Sequence, residues 1–204
     1  MNAVAQWFSQ YWMYALGLVA AIAVFAVVLR MAVKSYKAYY KRYRAQESEM
    51  KKLQALKEHY GELTAQAIEN GDTADLLQGV ALSYQLKLQK CSDMTAAFNK
   101  LNEEKKFVYA LDVFVSDANV KTFFSENGKE LTEIIVPAFR LIGLDEAAKQ
   151  AETIRLMYDV KDETVSYSPS KIQEVQKFFD DNGILTKIKL NAAKYIKDNA
   201  ESFV

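Results

Sequence analysis

Apolar and polar positions follow different rules in the first and the later parts of this 204-residue chain. Residues 1–29 carry no charged side chain, and 16–29 (LGLVAAIAVFAVVL) are apolar throughout. Extended back to Tyr11, the run has 19 residues. At about 1.5 Å of rise per residue it makes roughly 28 Å of helix, close to the thickness of a bilayer's hydrocarbon core. Trp7, Phe8, Tyr11, Trp12 and Tyr14 gather at one end, as in an aromatic belt at a membrane interface. A removed signal peptide or a buried core helix are the alternatives. The signal peptide fits poorly, because no Lys or Arg precedes the run and no small-residue cleavage site follows it.

The pattern changes at MAVKSYKAYYKRYR, residues 31–44. Arg30, Lys34, Lys37, Lys41 and Arg44 recur at spacings of 4, 3, 4 and 3, which puts them on one helical face. Tyr36, Tyr40 and Tyr43 form a neighbouring stripe. Cations interleaved with aromatics fit a nucleic-acid surface, a membrane edge or a protein contact. The uncharged lead-in favours the membrane edge. Cations only after the span place the C-terminal side in the cytoplasm and a short N-terminus outside. On a straight helix Arg44 stands about 21 Å beyond Arg30, outside the headgroup layer and past a Debye length of about 8 Å. Trp7, Tyr11, Trp12, Arg30, Lys34 and Lys37 are therefore expected at the membrane interface. Tyr40, Lys41, Tyr43 and Arg44 are candidates for contact with a protein partner. Gly17 and Ala21, four apart, would also allow close approach of two membrane helices.

Beyond the stripe the apolar period stays helical. Met50, Leu53, Leu56, Tyr60, Leu63 and Ala67 predict one helix over 47–70, either facing a core or forming a short coiled coil. Asn70-Gly71-Asp72 supplies a stop and a new cap. Leu82, Tyr84, Leu86 and Leu88 alternate like a strand, but Leu77, Val80, Ala81, Tyr84 and Leu88 fit a helix, and no partner strand exists elsewhere. Further helices are expected after Ser92-Asp93, around residues 107–115, and after an Asp117 cap through Phe123-Phe124. Others are expected over 131–142 with a kink at Pro137, from Asp145 to Tyr158, from Ser168-Pro169 to Asn182-Gly183, and over 186–200. The predicted fold is all-α: a single transmembrane helix (1–33), a basic, Tyr-rich stalk helix (34–70) and a compact multi-helix cytoplasmic domain (71–204).

Composition sharpens this division. With 50% hydrophobic residues, seven Gly and two Pro, the chain is neither disordered nor of low complexity. Its 26 basic and 26 acidic side chains balance only as an average: residues 1–70 hold 9 and 5, net +4, and residues 71–204 hold 17 and 21, net −4. One cysteine, Cys91, excludes an internal disulfide and is expected to be a small buried or half-buried apolar residue. A single histidine, His59, excludes sites needing two. Glu58, His59 and Glu62 read as a solvated face, since a bundle di-metal site needs matching ligands on other helices. Asp180-Asp181-Asn182-Gly183 lacks the closing acidic residue of a calcium loop, Asn191 standing there, and reads as a helix end with its Gly cap. No phosphate-cradling, nucleophile-elbow or dinucleotide motif is present. No cofactor or metal is expected.

FVYALDVFVSDANVKTFFSENG, followed by a helix ending in RLIGLDEAAKQAE, resembles the helical domain of the bacterial DNA-mimic protein family. Phe123-Phe124 match its paired aromatic, Ile142-Gly143 its helix end and Ala147-Ala148 its Ala-rich helix; Tyr195 and Phe203 match its C-terminal pattern. Asp117-Ala118-Asn119-Val120 departs from it, standing where Asn-Gly-Gly-Phe is typical. The resemblance covers residues 107–203 and implies an all-helical fold and a protein-binding role. It does not carry over DNA mimicry, because a net −4 over 71–204 is far from a phosphate-like array.

The function expected from these readings is non-catalytic: a single-pass cell-membrane protein whose cytoplasmic domain binds another protein as adaptor, scaffold or inhibitor. Phe123 and Phe124 join the candidate partner contacts, with core packing as their alternative. The expected partners are an anionic lipid surface, an unidentified protein, and a second copy through the transmembrane or stalk helix, with no direct nucleic acid. Two alternatives are a regulator of a nucleic-acid-binding protein, which an acidic surface stripe would favour, and an enzyme using two converging carboxylates.

Overall fold

The computed structural model describes the backbone of residues 3–158 and 167–204; within 1–38 it describes the side chains of Tyr11, Leu16 and 30–37. The first helix, α1, runs from Ala3 to Tyr60. From residue 18 to 60 the sequence has neither Gly nor Pro, so nothing local interrupts the hydrogen-bond ladder. Two units divide the chain, Met1–Leu53 and Gln54–Val204. The boundary falls inside α1, so residues 54–70 belong with the second unit and not to a stalk ending at residue 70.

In the second unit, α1 ends at Gly61, whose N–H bonds to the Lys57 carbonyl at 2.9 Å. A Cβ at Gly61 would run into that carbonyl, so the position takes no side chain. The expected continuous helix over 47–70 is therefore broken. Thr64 starts a separate short helix, α2 (Ala65–Glu69), by accepting from the Ala67 N–H at 3.1 Å. Asp72 caps α3 (Thr73–Leu88), which settles the strand-or-helix choice for that segment.

Side-chain caps open most of the remaining helices. Asp93 caps α4 (Met94–Asn99) and Asn102 caps α5 (Glu103–Asp117). α6 (Val120–Glu126) is capped by Asn119 and not by Asp117, which is the last residue of α5. Between them Ala118 has φ of 50°, the left-handed conformation that glycine adopts without strain. α7 (Lys129–Leu141) continues through Pro137. α8 is Asp145–Tyr158, with Asp145 inside its first turn, where a carboxylate is favoured without serving as the cap. Ser168 caps α9 (Pro169–Asp181), and Gly183, at φ of 59°, turns the chain into α10 (Ile184–Asp198) and a closing 3-10 turn, Ala200–Ser202. All regular elements among the described residues are helical.

The core of the second unit is built around Phe114. Its ring meets Phe123 at 5.0 Å, Phe139 at 5.1 Å and Phe179 at 5.4 Å, so α5, α6, α7 and α9 converge there. Phe123 and Phe124 are 0% and 4% exposed, which corrects their expected place among partner contacts: both rings are used inside the fold. The last turn of α1 is held in this unit by Tyr60, buried against α3 where Gly79 leaves room for its ring. Of the predicted stripe, Leu56, Tyr60 and Leu63 are buried, Ala67 is half-buried, and Met50 and Leu53 are exposed. Packing begins only after Gln54, so the two earlier positions have no core to face.

Buried phenols make the unit alkali-sensitive. The Tyr84 hydroxyl donates to the Phe203 carbonyl at 2.9 Å, and burial pushes its pKa well up. Tyr60, Tyr109 and Tyr195 are raised too, first by burial and then by nearby carboxylates. A folded pKa above the unfolded value of about 10 gives stability that is complete below pH ~10 and lost as pH rises through the folded values. Urea midpoints of the second unit are expected to be flat from pH 7 to about 9 and to fall above ~10, with a shallower fall in Tyr84→Phe. Equal slopes for the two proteins would remove Tyr84 from this account.

Candidate interaction surface on the first helix

Arg30, Lys34, Lys37, Lys41 and Arg44 are all exposed on α1, as are Tyr36, Tyr39, Tyr40 and Tyr43. One helix positions the whole set, so its arrangement follows from helical spacing alone. The Tyr36 and Tyr40 rings lie nearly parallel with centroids 6.2 Å apart. Arg44 donates to the Tyr40 hydroxyl at 3.1 Å, and its guanidinium carbon sits 4.8 Å from that ring's centroid. Tyr40 and Arg44 thus form one amphipathic feature one helical turn long.

Electrostatically the stretch divides near residue 45. Arg30, Lys34, Lys37, Lys41 and Arg42 form no ion pair among the described residues. Further along, Lys51 bonds to Glu47 at 2.7 Å and holds that carboxyl below its ordinary range, with a smaller push from Arg44. The potential is therefore positive over 30–44 and mixed over 45–53. Pairs of both signs also cover the second unit, for example Lys149 with Glu146 and Lys171 with Glu174, both exposed or nearly so.

The expected interface residues are placed unequally. Tyr11, Arg30, Lys34 and Lys37 are described, and Tyr11 is 43% exposed. The side chains of Trp7 and Trp12, and those of 17–29, lie outside the described residues. Among the described residues no helix is long and apolar enough to cross a membrane. The expected span falls almost wholly on side chains that are not described.

Elsewhere the chemistry is sparse. Among the described residues no three His, Cys, Asp or Glu side chains come together as a metal site, and Glu58, His59 and Glu62 are all exposed, with His59 edge-on to Tyr60 at 4.5 Å. Cys91 is exposed in the turn that follows α3, not buried or half-buried as its residue type suggested; its thiol donates to the Lys87 carbonyl at 3.5 Å. A cleft of about 250 Å³ in the second unit is lined by Leu88, Met94, Phe98, Tyr109 and Leu131, with Glu130 as its one carboxylate.

Val33 and Tyr39, 51% and 66% exposed, had no place in the sequence reading, and Met50, 67% exposed, stood there in the stripe over 47–70 that faces a core or forms a short coiled coil. The signal for two of them lay in the spacing, because Val33 stands three before Tyr36 and Met50 seven after Tyr43. Comparison of the chain with family models, with curated proteins and with solved structures gives no match, so the resemblance over residues 107–203 rests on the residues that carry it.

Proposed function

We propose that the chain is a single-pass membrane protein, N-terminus outside, whose helical unit Gln54–Val204 stands in the cytoplasm and binds another protein as adaptor, scaffold or inhibitor. The observation that supports this most is the ordering along α1. Twenty-nine uncharged residues come first, then exposed tyrosines and a stretch of exposed cations, of which Arg30, Lys34, Lys37, Lys41 and Arg42 form no ion pair among the described residues. Arg30, Lys34 and Lys37 serve lipid headgroups in this reading, while Tyr40, Lys41, Tyr43 and Arg44 lie too far along the helix for lipid and meet protein instead. No catalytic role is assigned to any side chain.

The test is recovery of bound polypeptide from gently solubilised membranes. The intact chain is compared with a variant carrying Tyr40→Gln, Lys41→Gln, Tyr43→Gln and Arg44→Gln, replacements that keep helix propensity. The natural chain should bring down a polypeptide in comparable amount, a second copy or another protein, and the variant should lose most of it. Recovery of the same polypeptides by both chains would contradict the assignment of this surface.

A further inference from the structure

We infer that the tyrosine side of α1 between Val33 and Met50 is covered by the same side of a second copy, the two helices running parallel. The inference rests on the membrane reading above and names one occupant for part of the same surface. Val33, Tyr36, Tyr40, Tyr43 and Met50 recur at 3, 4, 3 and 7, which are the a and d positions of a heptad in which Glu47 takes the remaining place. All five are exposed, between 43% and 67%, on an unbroken helix. Five large side chains in one seam, open to solvent, are what an unpaired half of a helix pair presents.

Charge admits a second copy in one direction only. In this frame the e flank of the seam is Arg30, Lys37, Arg44 and Lys51, every one a cation, and the g flank is Ala32, Tyr39 and Gln46, none charged. Antiparallel helices set e against e, so cation would face cation in any register. Parallel helices set g against the e residue five places on in the other copy. On the flanks the pairs are then Ala32 with Lys37, Tyr39 with Arg44, and Gln46 with Lys51, with no like charges opposed there; the one like-charge layer of the parallel pair is Glu47 against Glu47 of the second copy. Tyr39 with Arg44 is a cation–π pair of the kind Arg44 already makes with Tyr40 in its own chain. Parallel is also the only arrangement open to neighbouring copies inserted in one membrane with the same orientation. Glu47 is the one acid in the seam, and its bond to Lys51 draws its carboxylate toward the flank. Lys34, Lys41 and Arg42 fall on the outer positions b and c, where Lys34 stays free to meet lipid and Lys41 and Arg42 to meet another partner.

The test uses the full chain with Cys91→Ser, reconstituted into vesicles containing anionic lipid, with one cysteine introduced at a time. Val33→Cys, Tyr36→Cys, Tyr40→Cys and Tyr43→Cys are compared with Lys34→Cys, Lys41→Cys, Arg42→Cys and Ala45→Cys. Mild oxidation should yield disulfide-linked dimers at the first four positions, several-fold above the other four, because only seam residues of a parallel pair bring like positions within disulfide reach. Dimers at neither set, or more at the second set, would overturn the inference. So would seam cysteines that form no dimer yet are shielded from a water-soluble maleimide, which would show the stripe lying on lipid. Flotation of the same vesicles separates the two readings. Protein that floats without seam dimers sinks the pairing alone, and protein that fails to float sinks the membrane reading whether or not dimers form.

Discussion

Phe114→Ala should cost the helical unit about 3–5 kcal/mol, since deleting a fully buried aromatic ring removes its transfer energy and leaves a cavity. Phe114 is 1% exposed, and its ring is the one that touches Phe123, Phe139 and Phe179 together. Loss of its ring unsupports four helices at once. Set against a total of roughly 5–15 kcal/mol for a domain, the change approaches the whole stability of the unit. Denaturant unfolding of Gln54–Val204 followed by circular dichroism measures it. Phe178→Ala, a half-buried ring on the same helix as Phe179, is the comparison and should cost clearly less. A loss below about 1 kcal/mol for Phe114→Ala would mean that the four rings are not the centre of the core.

The second large effect concerns orientation. In the proposed topology no Lys or Arg precedes the uncharged run, and Arg30, Lys34, Lys37, Lys41, Arg42 and Arg44 follow it. Cations close to the ends of a span set its direction. Replacing Arg30, Lys34 and Lys37 with Gln, together with Asn2→Lys, Ala3→Arg and Ala5→Lys, leaves three cations close to each end of the apolar stretch 11–29, the later ones being Lys41, Arg42 and Arg44. The variant is expected to insert in both directions, with a several-fold drop in the share of C-terminal domains on the cytoplasmic side. Protease digestion of intact and opened cells reads that share. A variant that keeps the natural chain's distribution would show that these cations do not orient the helix.

Local signals were the legible ones. Asp72, Asp93 and Ser168 cap helices where the sequence places caps, because a capping side chain bonds to an N–H two or three residues away and needs nothing from the rest of the fold. Asn182-Gly183 ends a helix for the same reason. The misses are positions decided by more distant neighbours. Nothing in the spacing of Leu56, Tyr60, Leu63 and Ala67 announces a break at Gly61, whereas a Cβ there would meet the Lys57 carbonyl. Asp117 and Asn119 are equally good caps by residue type. Asn119 takes the role because Ala118 turns left-handed and ends α5 first. Phe123-Phe124 read as either anchor or core, and only the arrival of Phe114 and Tyr158 beside them settles the matter. The candidate surface was legible in its cations and tyrosines. Its apolar seam was less so, since Met50 has the spacing of a core residue and is distinguished only by where packing begins.

Everything proposed for the chain turns on where the helical unit is. A reporter active only in the cytoplasm, joined after Val204 in the otherwise natural full chain, asks this most directly. Phe203 is buried with its carbonyl held by Tyr84, but Val204 is 55% exposed, so a flexible linker at that point leaves the core intact. The expected result is an active reporter that sediments with membranes and resists alkaline carbonate extraction. An inactive reporter on intact, membrane-bound protein, or an active one in the soluble fraction, would contradict it.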